Sequence, residues 1–305
     1  MHSETSTTDP TTRDTTARDT TTPGGVTPTG SSVATAARPV TLPEVRPASR
    51  LKQALSLAGA EWRLLRRNKV ALMNTLLMPA LIVVFFSAMP MGNDLGFGRL
   101  APILILGTAL IFVVYYTLVT ALVARREAYV LQRLRTGEAS DAVILTGLSL
   151  PFALITILQT VLCVLGAALL LGVGMPPNVL LIGVAMALGT IVWSLLGIAS
   201  TGFTRSVEHA QITTLPLIFV PLLLSGISFP LTMLPDWAQR IAAWTPLNPV
   251  VELMRLGMAG VDADGTALTF AETFTAAGMP VLVLVVWTVL AAWLVRRYLK
   301  WEPRR

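Results

Sequence analysis

The sequence predicts an all-α integral membrane protein that crosses the bilayer six times, and three observations predict it. The chain is 53% hydrophobic and 13% charged, too apolar for an ordinary soluble domain. Its apolar residues run in blocks: Val70–Met89, Leu100–Ala124, Ala142–Leu171, Asn178–Thr204, Ala210–Met233 and Gly278–Val295. None of these blocks holds Asp, Glu, His, Lys or Arg. A span needs about 20 apolar residues to cross roughly 30 Å of hydrocarbon at about 1.5 Å per residue. Val70–Met89 just meets that length, whereas Leu100–Ala124 and Ala142–Leu171 exceed it and leave room for tilt. Pro79, Pro151, Pro216 and Pro221 fall inside the blocks, where neighbouring helices and Ser/Thr groups satisfy the freed carbonyls. The alternating pattern of a membrane β-barrel strand is not seen.

Charge placement orients the chain. With the N-terminus inside, the cytoplasmic flanks hold fifteen Lys and Arg: Lys52, Arg63, Arg66, Arg67, Lys69, Arg125, Arg126, Arg133, Arg135, Arg205, Arg296, Arg297, Lys300, Arg304 and Arg305. Three lie outside, Arg99, Arg240 and Arg255. This positive-inside bias places both termini in the cytoplasm and the chain in a plasma membrane. The formal charge of +6 then reflects topology and anionic membrane lipid, with no nucleic-acid partner.

Taken in order, residues 1–50 form a Thr-, Ser-, Pro- and Gly-rich tail, with too little apolar surface to offset chain entropy, and read as a disordered cytoplasmic segment. In Leu51–Asn68, the residues Leu51, Leu55, Ala58, Trp62 and Leu65 fall on one helical stripe, as in an amphipathic helix lying on the cytoplasmic leaflet before the first span. Pro90–Arg99 and the uncharged Gly172–Pro177 are short outer turns. The long outer loop Leu234–Ala277 carries five acidic and two basic residues, with Asp236–Ala243 and Asn248–Met258 as short helices, each near a Pro. Glu252 and Arg255 share one helix face, three residues apart, and are expected to pair.

The sequence also bounds the chemistry. Its three lysines follow Leu, Asn and Leu, so the Gly-Lys-Ser/Thr of a phosphate-binding loop is absent and the chain is not expected to hydrolyse ATP. Val261–Gly265 looks briefly like a calcium loop, but Gly260 and Ala271 would stand at two acidic ligand positions; a solvated turn is the expectation. His2 and His209 are the only histidines, and Cys163 the only cysteine, so no catalytic or metal-binding set and no intrachain disulfide are predicted. Ion-coupled carriers place ionisable side chains within their spans; their absence here means that another protein must supply the energy.

The charged segment between the second and third spans is where that protein would act. Arg125–Gly137 contains Val130, Leu131 and Leu134 as an apolar stripe, Arg133 and Arg135 on other faces, and Gly137 as a stop. A short rigid helix joining two spans is what a soluble motor needs to grip; an ordinary basic connector lying on lipid is the other reading. A membrane scaffold that recruits a partner through this segment and transports nothing is the alternative function.

The arrangement resembles the membrane subunits of type-2 ATP-binding-cassette exporters, close to the daunorubicin-resistance-like multidrug efflux permeases of actinobacteria. The resemblance covers residues 51–305. It rests on the connector Arg126-Glu127…Leu131…Arg133-Leu134-Arg135-Thr136, on the six-span plan with its leading amphipathic helix, and on Leu224–Pro230, Leu234–Trp237, Thr245–Pro249 and Glu252…Arg255. Ala128 stands where family members usually have Gly. The resemblance implies two permease copies, identical or related, with separate cytoplasmic ATPase subunits that bind ATP and Mg. The permease itself would hold no cofactor. The ATPase-coupling residues would be Arg126, Glu127, Val130, Leu131, Leu134, Arg135 and Gly137. It further implies a span break at Gly226–Pro230, re-entrant helices before the last span, and an exit gate drawn from Gly226, Phe229, Pro230 and Trp237. A lipophilic drug, natural product or lipid-linked substrate suits the charge-free path. Abundant Ala and Arg beside three Lys fit a high-GC bacterium.

Overall fold

The computed structural model describes residues 49–87, 95–137, 139–228, 230–262, 265–299 and 301. The tail 1–48, residues 88–94 of the first outer loop, Phe229, and the basic residues Lys300, Arg304 and Arg305 lie outside the described residues.

The described chain is helical, without a strand beyond one isolated bridge between Val261 and Ala267. Helix α1, Arg50–Arg67, starts on Ser49, whose hydroxyl accepts from the Lys52 amide. It packs most extensively against α6, Asp141–Leu170. Gly147 permits the crossing, since a β-carbon there would lie 2.7 Å from Leu57 Cβ and 3.0 Å from the Ala54 carbonyl oxygen. The buried face of α1 is Ala54, Ala58, Glu61 and Leu65, while Leu51, Leu55 and Trp62 remain exposed. The apolar stripe read from the sequence is thus shared between protein and surroundings. Helix α2, Lys69–Ser87, is a 19-residue apolar helix around Pro79.

Helix α3, Gly96–Ala109, runs through a seven-residue π-helical segment, Leu110–Tyr116, into α4, Thr117–Glu127. This is the central rod of the molecule: Leu104, Leu106, Leu110, Ile111, Val114 and Val119 are fully buried. The widened π turn is closed by Thr117, whose hydroxyl donates 2.9 Å to the Phe112 carbonyl; such turns are rare and uneven the helix locally. A one-turn helix α5, Val130–Arg135, leads to α6, and α7 follows at Val179–Ser200.

Among the described residues, four helical stretches are long and apolar enough to cross a membrane: Gly96–Glu127, Asp141–Leu170, Val179–Ser200 and Phe270–Tyr298. The last joins α12, Phe270–Ala276, to α13, Gly278–Tyr298, with a capping box between Thr269 and Glu272 at its start. The expected span Ala210–Met233 is occupied by α8 at Val207–Thr213 and α9 at Leu215–Leu223, which together form one apolar helical stretch, Val207–Leu223. The Thr214 hydroxyl donates 2.6 Å back to the Ala210 carbonyl at their junction, and Pro216 supplies no amide to continue the ladder. Helix α10, Asp236–Ala243, and α11, Asn248–Ala259, precede α12. Helix α11 is almost wholly buried and packs on α7, α13 and α3.

Candidate functional site

Two regions gather the residues that the sequence singles out, the connector after α4 and the segment after α9. The first is the connector. Helix α4 ends at Glu127, and the chain turns through Ala128 and Tyr129. Tyr129 has φ 58°, the only positive-φ residue other than glycine among the described residues. A bulky residue in this left-handed region costs about 1–2 kcal/mol, so the surrounding contacts must enforce the turn. Tyr129 itself is 51% exposed. Helix α5 closes at Thr136, whose hydroxyl donates 2.9 Å to the Arg133 carbonyl. Gly137 follows without a positive φ, so the stop is made by Thr136 and not by glycine's freedom.

Three fixings hold this turn. Arg125 forms an ion pair with Glu61 of α1 and donates 2.9 Å to the Ala121 carbonyl. Arg126, 1% exposed, donates to the carbonyls of Thr201 at 2.7 Å, of Thr204, and of Arg205 at 3.1 Å. Those carbonyls lie at the C-terminal end of α7, where the helix dipole is negative. Arg135 lies 3.7 Å from Asp141 at the start of α6, and its guanidinium sits 5.4 Å over the Trp301 ring. The connector is thereby tied to α1, α6, α7 and the C-terminal segment.

Of the residues that the sequence assigns to ATPase coupling, two are buried: Arg126, and Leu131, which is 3% exposed and packs among Leu65, Leu122, Ile144 and Trp301. Both hold the connector in place. The exposed face consists of Glu127, Ala128, Tyr129, Arg133, Arg135, Thr136 and Gly137, with Val130 and Leu134 half-buried. Glu61 and Arg125 escaped sequence reasoning because they lie 64 residues apart, and no local pattern links them.

The second region follows α9. Gly226 has φ 77°, and the Ser225 and Ser228 hydroxyls donate 2.8 and 3.2 Å to the Leu222 carbonyl, so the helix cannot continue. Ile227 then turns inward, 4% exposed, onto α3. A β-carbon at Gly107 would lie 2.3 Å from Ile227 Cδ1. Pro230 and a 3-10 turn at Leu231–Met233 lead to α10, on which Trp237 is 66% exposed. Trp287 Nε1 donates 2.8 Å to the Trp244 carbonyl, between α10 and α11. Trp287 lies nine residues into α13, about 13 Å from its start. The far end of α11 is level with the start of α7, where the Asn178 amide donates 3.1 Å to the Gly257 carbonyl. Glu252 and Arg255 on α11 are not among the ion pairs of the described residues, contrary to expectation.

Beside this hairpin lies an apolar cavity of about 1110 Å³ between α7, α9, α10 and α13. Leu196, Phe203, Val220, Trp244 and Trp287 line it, Tyr115 forms part of its wall, and Arg240 is the one cationic residue in its lining. The Tyr115 hydroxyl donates 3.2 Å to Ser200 Oγ.

Long apolar helices around a buried rod, with a braced polar turn at one end, define a multi-pass membrane protein. The family model for the ABC-2 type transporter matches residues 52–259, more than half of the chain, and the chain belongs to that family. It is a permease of an ABC transporter, and membership implies pairing with an ABC ATPase subunit. A search of curated proteins found no match.

Proposed function

We propose that the chain is the permease subunit of an ATP-driven exporter that moves a lipophilic drug, natural product or lipid-linked molecule out of a bacterial cell. In this reading a separate ATPase subunit binds ATP and Mg and docks on the exposed turn Glu127–Gly137. The permease acts as a homodimer or with a related permease, crosses the plasma membrane six times and keeps both termini in the cytoplasm. Helix α2 is one crossing; α8 and α9, continued by Leu224–Met233, are another. A re-entrant α10–α11 hairpin belongs to this reading, and the Trp287–Trp244 hydrogen bond, about 13 Å along α13 from its start, supports it.

The observation that carries the reading is the connector itself. The exposed turn follows directly on Arg125 and Arg126, which bind α1 and the end of α7, so displacement of the turn moves these helices together. Gly226, Pro230 and Trp237 remain the residues through which α9 and the hairpin would part to release cargo. The test is reconstitution with the ABC ATPase in proteoliposomes, reading ATP hydrolysis and efflux of a lipophilic dye. Tyr129→Gly with Arg133→Glu, both exposed, is expected to abolish stimulation of hydrolysis while leaving folding intact. Unchanged stimulation, or efflux that follows a proton gradient and ignores ATP, would overturn the proposal.

A further inference from the structure

A second cavity, of about 940 Å³, lies between α6, α7 and α13 on the connector's side of the molecule. Its two ends differ in chemistry. At one end stand Arg135 of the connector and Arg296 of α13, with Asp141 and Trp301. The remainder is apolar, walled by Leu145, Ala153 and Ile157 of α6 and by Ala187 and Ile191 of α7. Two of the four hydroxyls in the lining are turned back on their own helices: Thr190 donates 2.7 Å to the Met186 carbonyl and Ser149 donates 3.2 Å to the Thr146 carbonyl. A polar ligand would gain little in the shaft.

Length selects the ligand further. The lining runs along α7 from Ile198 to Ala187, eleven residues or about 16 Å, close to the roughly 15 Å of one leaflet's hydrocarbon. The arginines are also available. Arg135 and Asp141 are 3.7 Å apart with side chains 56% and 52% exposed, a pairing that contributes little. The Arg135 guanidinium carbon sits 5.4 Å over the Trp301 ring, a contact with a π face that does not use up its N–H donors as a carboxylate would. Arg296 makes no ion pair among the described residues.

We propose that this cavity is a binding site for one anionic phospholipid of the cytoplasmic leaflet, its phosphate held by Arg135 and Arg296 and one acyl chain in the shaft. Basic pockets between membrane helices on the cytoplasmic side bind anionic headgroups by this chemistry, and a guanidinium pair matches phosphate bidentately. The bound lipid joins the connector to α13, so its occupancy sets how firmly the connector is held. The inference rests on the proposed orientation, with the Arg135 end in the cytoplasmic leaflet, but its test does not depend on transport or on the ATPase.

Native mass spectrometry of the full chain in detergent reads lipid retention directly, with dioleoylphosphatidylglycerol and dioleoylphosphatidylcholine as probes. The native chain is expected to retain one phosphatidylglycerol at detergent concentrations that strip phosphatidylcholine. Arg135→Ala with Arg296→Ala should weaken retention by about 30-fold. Ala153→Phe with Ala187→Phe, which fills the shaft and keeps both arginines, should also weaken it; Arg63→Ala with Arg66→Ala on α1 should not. Equal retention of phosphatidylglycerol by the native chain and the arginine variant would overturn the proposal. So would equal binding of both lipids, or displacement by millimolar inorganic phosphate, which would mark a site for a free anion. Should the shaft variant misfold, the arginine pair at the exposed rim decides alone.

Discussion

Replacing Arg126 by Met removes the guanidinium but keeps most of the side-chain volume, so it isolates the hydrogen bonds that end α7. Three carbonyls lose their donor: Thr201, Thr204 and Arg205. Arg205 is exposed and can turn to water. Thr201 and Thr204 are 3% and 0% exposed and stay dry. A buried acceptor left without a partner costs about 1–3 kcal/mol, so the two together cost about 2–6 kcal/mol. Relief from holding a charge away from water offsets part of this, and loss of a cation at a helix C-terminus adds about 1 kcal/mol. The expected net loss is about 3 kcal/mol, or two orders of magnitude in the folding equilibrium. Arg126→Lys should recover about half, because an ammonium cannot fork across three carbonyls. Equilibrium unfolding in mixed micelles with circular dichroism gives the loss, and hydrogen exchange at Thr201–Arg205 locates it. Unfolding within about 0.5 kcal/mol of the native chain, with unchanged exchange at α7's end, would refute the bracing role.

The Glu61–Arg125 ion pair gives a second test: single Gln replacements at each site should both destabilise, and the double variant should lose less than their sum, with a coupling of about 1–3 kcal/mol. Additive losses would show that α1 is not clasped to the connector. Two glycine substitutions should rank by what they strike. Gly202→Ala brings a β-carbon to 2.2 Å from the Tyr298 carbonyl oxygen, and Gly107→Ala brings one to 2.3 Å from Ile227 Cδ1. The first meets backbone and the second a side-chain tip that can rotate, so Gly202→Ala should lower thermal stability more, with Gly107→Ala costing about 1–3 kcal/mol. Ile227→Val should restore the latter.

The length and apolar composition of the blocks made the helical, membrane-spanning architecture legible, because both follow from the bilayer alone. Helix α10 falls where its neighbouring prolines and turn residues place it, and α11 differs from its expected range by one residue. The fifth block, Ala210–Met233, reads as one apolar stretch, but its helix stops at Leu223, where the Ser225 hydroxyl bonds to the Leu222 carbonyl, and composition alone does not show that stop. At the connector the helix α5 was legible, but the direction its side chains face was not. Leu131 and Arg126 look like surface groups in a charged segment, and their burial depends on α1, α6 and α7, far away in sequence. The expected Glu252–Arg255 pair has the right spacing on α11, and spacing alone does not bring the two side chains within ion-pair distance.

The central claim is that the exposed turn at Tyr129 receives the ATPase, and one measurement tests it most directly. In a Cys163→Ala background, Tyr129→Cys carrying a short photoactivatable crosslinker would be illuminated in native membranes, with Thr266→Cys in the opposite loop as comparison. An adduct with an ABC ATPase is expected from position 129, changed by ATP, and none from position 266. An ATPase adduct from position 266 alone, or none from 129 in membranes that hydrolyse ATP through the complex, would contradict it.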